Sequence, residues 1–267
     1  MQEAVGTSEA ALLGTVQGLT EFFPVSSSGH LVIAGYFLGL RESHLGFDLL
    51  LHIATLIAVV FFYRTSIGNI LKACAQWATG RGGDQDSLRM AGFILLGSIP
   101  TGIIGLFGHD LVVGPMQSPR FVATMLLVTG ILLFVVRGLG DQGREIRAMT
   151  WKDALLIGIV QGISVIPGIS RSGSTIVAAL GLGLHPRLAA QYSFLMSIPA
   201  VAGATFLEGF QAGYSGISMM SAVVGMLASG LCGLLALSFF VPLVVRGHLY
   251  HFSWYLFPVA VITLVLV

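Results

Sequence analysis

Residues 161–175 read Gln-Gly-Ile-Ser-Val-Ile-Pro-Gly-Ile-Ser-Arg-Ser-Gly-Ser-Thr and lie inside a run otherwise apolar enough for a bilayer. A charged side chain at bilayer depth costs about 2.5–3.5 kcal/mol on insertion scales, so Arg171 needs a partner or a water-filled cavity. The Pro167-Gly168 break frees backbone groups that hydrocarbon cannot satisfy. Such backbone is tolerated only where protein buries it or where it lines a cavity. A membrane chain that keeps this segment is building an anion site.

The segment has an earlier counterpart at residues 13–34. A shift of 144 positions places Gly14 on Gly158, Gln17 on Gln161, Gly18 on Gly162, Ser26 on Ser170, Ser28 on Ser172 and Gly29 on Gly173. Only the proline slips by one, from Pro24 to Pro167. This is an internal duplication with one polar loop in each half, the pattern of inverted-repeat membrane proteins. Gly14-x3-Gly18 and Gly158-x3-Gly162 are small-x3-small patterns that let helices approach closely.

Only 9% of the residues are charged and 55% are apolar, whereas ordinary globular proteins carry about 25% charged residues. With a mean hydropathy of +0.90, the chain reads as a polytopic membrane protein. No basic run is present to hold nucleic acid. Cys74 and Cys232 fall in a polar loop and an apolar span, which argues against a disulfide framework. Glu3 and Glu9 make the N-terminus a poor signal peptide.

Apolar segments fall near 9–24, 28–40, 46–63, 91–108, 120–136, 154–166, 173–184, 188–208, 219–241 and 251–267. A span needs about 20 residues, so 28–40, 154–166 and 173–184 are too short to cross alone. The expected fold is an all-α integral membrane protein with about six transmembrane helices and two re-entrant helix-loop-helix hairpins, broken at Pro24 and Pro167. It forms one polytopic domain, with inverted-topology repeats at about 9–110 and 120–241 and a final helix at 251–267. The stretch 64–90 is expected to be a long soluble loop. Ten Lys and Arg residues fall on one side of this arrangement, against Arg41 and Arg120 on the other. The basic side is cytoplasmic by the positive-inside rule. Hairpin 9–40 then enters from outside and hairpin 154–184 from inside, bringing the two polar loops together. Ser98-Ile-Pro100 and Ser197-Ile-Pro199 form a second echo, expected to kink two spans and shape the cavity.

Gln17 and Glu21 are four apart, hence on one helix face. Pro24 ends that helix, and Ser26-Ser27-Ser28 supplies an N-cap for the next half-helix, as Ser170 and Ser172 do in the second repeat. Two half-helix N-termini would offer free N–H groups and positive dipole ends to one anion. Arg171 adds a bidentate fork, and Ser26, Ser172, Ser174 and Thr175 add hydroxyls. Gln17, Ser28, Gly168 and Ser170 support the two loops. These features predict a phosphate or diphosphate site within lipid and a substrate whose other end is a lipid. His30 lies three residues after Ser27, so its imidazole can reach back toward the hydroxyl. Either Ser27 is the nucleophile with His30 as base, or His30 attacks itself. Glu21 would orient His30 or hold a divalent cation against the diphosphate. Asp48 and His52, also i and i+4, resemble a metal pair but read better as a helix-end charge with a polar neighbour.

Gln17-Gly-Leu-Thr-Glu21-Phe-Phe-Pro-Val-Ser-Ser-Ser-Gly-His30 and Pro167-Gly-Ile-Ser-Arg-Ser-Gly-Ser-Thr175 resemble the two signatures of the undecaprenyl-diphosphate phosphatase family of the bacitracin-resistance type. The first signature reads Glu or Gln-x3-Glu, then a serine-rich loop and a histidine. The second reads Pro-Gly-x-Ser-Arg-Ser-x2-Thr. The resemblance covers essentially the whole chain. It implies hydrolysis of undecaprenyl diphosphate to the monophosphate and phosphate at the outer side of the bacterial inner membrane, recycling the lipid carrier of cell-wall synthesis. It also implies a divalent cation (Mg or Ca), a homodimer, and competition with bacitracin, which sequesters the substrate. Members with Glu at the first position have two acids where this chain has Gln17 and Glu21, which throws any metal role onto Glu21. Inverted repeats also describe secondary transporters, and a lipid-phosphate flippase needs the same anion site. Ser27 with His30 separates the readings, because a carrier does not require that pair.

Overall fold

The computed structural model describes residues 5–39, 45–112, 116, 118–138, 143–209 and 217–267. These residues form eleven α-helices: α1 Thr7–Phe22, α2 Ser27–Phe37, α3 Leu45–Phe62, α4 Arg64–Ala78, α5 Gln85–Val112, α6 Pro119–Val135, α7 Trp151–Ile163, α8 Arg171–Gly181, α9 Pro186–Gly209, α10 Met219–Val245 and α11 His251–Leu266. Gln85–Gly108, Pro186–Gly209 and Met219–Val245 are long and apolar enough to cross a membrane. The pair Gly46–Phe62 and Arg64–Ala78 passes that test together, bent by 73°. The chain is an α-helical integral membrane protein, and its outward apolar side chains, such as Phe107 at 82% exposure, fit lipid contact.

Every apolar segment expected from the sequence is a helix, but 64–90 is not the expected loop. Residues 64–78 form α4, whose polar face reads as loop in a linear scan while Ala73 is buried against the turn before α5. Only 79–84 is irregular, and Gly80 and Gly82 take positive φ there (71° and 75°), which favours glycine. Asp84 then starts α5, accepting the Ser87 amide at 2.8 Å. Hydrogen bonds from the Ser87 side chain and amide hold its carboxyl below the usual carboxylate range. Arg41, expected on the sparsely charged side, lies outside the described residues.

Helices shifted by 144 positions make corresponding contacts. α1 packs on α10 as α7 packs on α5, and α3 packs on both α10 and α9. α6 lies along α11, where Arg120 donates to the Val267 carbonyl at 2.8 Å. The glycines expected to permit close approach do so. A Cβ on Gly14 would stand 2.2 Å from the Gly225 carbonyl, and one on Gly158 would stand 2.1 Å from the Gly97 carbonyl. Basic residues gather at the opposite end from Arg120: Arg89 donates to the Arg147 carbonyl at 2.9 Å, Arg147 pairs with Asp86 at 3.0 Å, and Arg144 pairs with Asp153 at 2.8 Å.

Gly14→Ala should force α1 and α10 apart. The expected loss is about 1–3 kcal/mol, the usual range for overpacking, read as a lower thermal midpoint in detergent. Gly35→Ala on α2, where nothing stands within 4 Å, is the control and should leave the midpoint unchanged or raised.

Candidate active site

The two short pairs α1–α2 and α7–α8 meet through their breaks. A Cβ on Gly29 would lie 3.2 Å from Gly168 Cα, and one on Gly173 would lie 3.1 Å from Pro24 Cβ. These are the same contact made twice, since 29 corresponds to 173 and 24 to 168. Gly168 has φ +92°, with the Val122 carbonyl 2.5 Å from where its Cβ would sit, so no other residue fits there. The caps repeat as well. Ser26 Oγ accepts the Gly29 amide at 3.3 Å, and Ser170 Oγ accepts the Gly173 amide at 3.1 Å. In each loop a further hydroxyl, Ser28 or Ser172, stands 3.3 Å from the cap.

One residue further on, the duplication diverges. The first position of α2 is Ser27 and the first position of α8 is Arg171, and both reach Glu21. Ser27 Oγ donates to Glu21 Oε2 at 2.5 Å, while Arg171 Nη2 donates to Glu21 Oε1 at 2.5 Å. Gln17 Nε2 adds a bond to Oε2 at 3.2 Å, and His52 Nε2 stands 3.8 Å from the same oxygen. The Arg171 ion pair meets the sequence's demand for a partner. Its other terminal nitrogen, Nη1, is buried without a protein acceptor among the described residues. A buried donor left unsatisfied costs about 1–3 kcal/mol or more when charged, which is the cost an incoming anion removes.

A cavity of about 230 Å³ opens beside these groups, lined by Thr20, Glu21, Ser26, Ser27, Ser28, His52, Thr101, Gln161, Ser164, Val165, Ile169, Ser170, Arg171, Ala200, Val201 and Ala204. Pockets that swallow a whole drug-sized ligand run to about 300–1,000 Å³. This one suits a headgroup whose chain stays in the bilayer. The Ser-Ile-Pro echoes deliver its walls: Thr101 follows Pro100 on α5, and Ala200 follows Pro199 on α9. Ser98 bonds back to the Ile94 carbonyl and Ser197 to the Phe194 carbonyl, each at 2.7 Å.

Other expected site residues are placed differently. Ser172, Ser174 and Thr175 do not line the cavity, because only the first position of α8 faces it and the following turn faces protein. Ser172 Oγ bonds the Phe23 carbonyl at 3.4 Å, Thr175 Oγ1 bonds Ser193 Oγ at 2.5 Å, and Ser174 Oγ is buried without a partner among the described residues. His30 does not reach Ser27 either. Its Nδ1 stands 2.8 Å from the Ser26 carbonyl and its Nε2 stands 2.9 Å from the Tyr255 hydroxyl. The imidazole on the cavity wall is His52, whose Nδ1 bonds the Asp48 carbonyl at 2.8 Å. The i, i+4 spacing of Asp48 and His52 was its only signal, and that spacing is common in helices. Tyr255, from the far end of the chain, had none.

Among the described residues no three His, Cys, Asp or Glu side chains come together as a metal site. Glu21 is the one acid on the cavity wall, and both its oxygens are already in use.

A model of the bacitracin resistance protein BacA family matches residues 10–262. This chain belongs to that family. It is 41% identical over 271 residues to an undecaprenyl-diphosphatase of Desulfatibacillum aliphaticivorans, covering 96% of this chain and 97% of the relative. A second, from Alkaliphilus metalliredigens, is 40% identical, with 97% and 98% covered. A third, from Rubrobacter xylanophilus, is 40% identical, with 94% and 95% covered.

Arg171→Lys keeps the charge but loses the planar fork that suits carboxylate and phosphate oxygens. Phosphate release from a lipid diphosphate should fall about tenfold to a hundredfold, the equivalent of one charge-assisted hydrogen bond. Near-normal turnover would make the arginine a mere source of field.

Proposed function

We propose that this protein hydrolyses undecaprenyl diphosphate to undecaprenyl phosphate and inorganic phosphate. The observation that carries the reading is one carboxylate, Glu21, holding a hydroxyl on one oxygen and a guanidinium on the other beside a headgroup-sized cavity. A carrier would need the cation but not a serine hydroxyl hydrogen-bonded to a carboxylate. The family membership and the names of the relatives point the same way.

In this reading Ser27 Oγ attacks the terminal phosphorus while its proton passes to Glu21 Oε2, which already accepts it. The bond to the bridging oxygen breaks and undecaprenyl phosphate leaves. That group departs as an anion and needs no proton. Arg171 moves onto the phosphate oxygens, satisfying its unpaired Nη1, and the first-turn amides of α2 and α8 add N–H donors. Water then attacks the phosphoserine, Glu21 returns its proton to Ser27 Oγ, and phosphate leaves carrying both of the water's protons, as dihydrogen phosphate. Glu21, the acid that lines the cavity among the described residues, would help hold a divalent cation, Mg or Ca, brought in with the diphosphate, and the cation would offset the charge of the phosphates.

The same proposal includes six spans, α3, α5, α6, α9, α10 and α11, with α1–α2 and α7–α8 as re-entrant pairs. It also includes inverted repeats at about 9–110 and 120–241. The twice-made loop contacts and the matching helix pairings support it. With the basic end in the cytoplasm, the protein sits in the bacterial inner membrane with its cavity served from the outer side, works as a homodimer, and competes with bacitracin for the lipid.

Purified protein should release phosphate from undecaprenyl and farnesyl diphosphates, less so with chelator present. Ser27→Ala should lose turnover by about a thousandfold or more, as removal of a covalent nucleophile does, yet still bind the lipid diphosphate. Substantial turnover by Ser27→Ala would overturn the assignment of the nucleophile. No release by the wild type would favour the carrier.

A further inference from the structure

Ser26 is the one non-glycine residue with positive φ among the described residues, at φ 69° and ψ 98°. A side chain held in such a region costs of order 1–3 kcal/mol and persists only where the surroundings over-determine it. The second loop is an internal control. Ser170, 144 positions on, caps α8 with an ordinary φ of −72° and ψ of 116°. The difference follows from reach. Arg171 has a long side chain and finds Glu21 from an unstrained turn. Ser27 carries its oxygen one bond beyond Cβ, so the backbone itself must deliver it.

His30 holds the turn. The Ser26 carbonyl receives the His30 amide at 3.1 Å and His30 Nδ1 at 2.8 Å. A carbonyl oxygen only accepts, so Nδ1 carries the proton and Nε2 of the neutral ring is bare. Tyr255 OH, 2.9 Å from Nε2, is therefore the donor. The two rings also stack, with centroids 5.7 Å apart and planes 11° apart. His30 has no nitrogen left for Ser27. The position matching His30 in the relaxed second loop is Ser174, whose hydroxyl has no hydrogen-bond partner among the described residues.

We propose that His30 and Tyr255 are positioning residues: Tyr255 fixes the tautomer and tilt of His30, His30 braces the Ser26 carbonyl, and the braced turn aims Ser27 at Glu21. The inference rests on the reading of Ser27 as nucleophile and adds Tyr255 of α11 to the machinery. It also explains why the second loop, whose anchor is an arginine, has no histidine.

The test compares His30→Ala, His30→Asn and Tyr255→Phe in detergent with a soluble-chain lipid diphosphate, alongside wild type and Ser27→Ala. The asparagine amide nitrogen stands about where Nδ1 does and can donate to the Ser26 carbonyl, but it is neither a base nor a nucleophile. His30→Asn should therefore recover about tenfold or more of the kcat lost in His30→Ala. Tyr255→Phe should lose about three- to tenfold in kcat with KM nearly unchanged, as for one neutral hydrogen bond. An asparagine variant as inactive as alanine, a Tyr255→Phe variant with wild-type kcat, or phosphate trapped on His30 would each overturn the inference. Failure of the phosphatase reading itself shows separately, as a wild type that releases no phosphate or a Ser27→Ala variant that still does.

Discussion

The Glu21–Arg171 ion pair is the interaction on which the interior depends. It joins α1 to α8 across 150 positions of chain, and each partner is mostly withdrawn from water. Such pairs seldom add stability outright, because desolvation offsets much of their attraction, but removing one partner strands a charge at a cost of about 3–5 kcal/mol. A pair of this kind is kept for what it can do. Here it holds an arginine with one nitrogen unsatisfied and a carboxylate already bonded to a serine hydroxyl. In the proposed reaction, a phosphate oxygen that takes the arginine leaves the carboxylate free to take a proton.

Duplication explains how a small membrane protein assembles this. Two copies of one loop lie loop to loop, each capped by its serine and each offering a helix N-terminus. Gly29 and Gly173 let the breaks touch without a Cβ between them. Symmetry then yields to chemistry at a single equivalent position, serine in one copy and arginine in the other. Glu21, whose counterpart is Val165 on the cavity wall, serves both. The strained turn at Ser26 is the cost of using a short side chain where the other copy uses a long one.

The helices were legible because the apolar runs and the two prolines mark them directly, and the glycine spacing marked where α1 and α7 pack closely, though not that their partners are α10 and α5. Glu21, Ser27 and Arg171 were legible because polar residues stand out against a membrane background. Three things were not. α4 was hidden because an amphipathic helix lying at a sharp angle to its neighbour looks polar in sequence. The orientation of His30 could not be read, since i+3 spacing brings Ser27 within reach but does not say that a carbonyl and a distant tyrosine will take the ring first. The inward turn of Ser172, Ser174 and Thr175 depends on which side of α8 meets α9, and only the packing decides that.

The proposed reaction makes one carboxylate both anchor and base, and Glu21→Gln tests this most directly. The amide has the size of the carboxylate and can still accept a hydrogen bond, but it cannot take the Ser27 proton. A single-turnover assay with terminally labelled undecaprenyl diphosphate should show phosphoserine formation slowed by about 10²–10⁴-fold, the usual contribution of a positioned base, with binding of the lipid diphosphate retained. Phosphoserine formed at close to the wild-type rate in that variant would contradict the account.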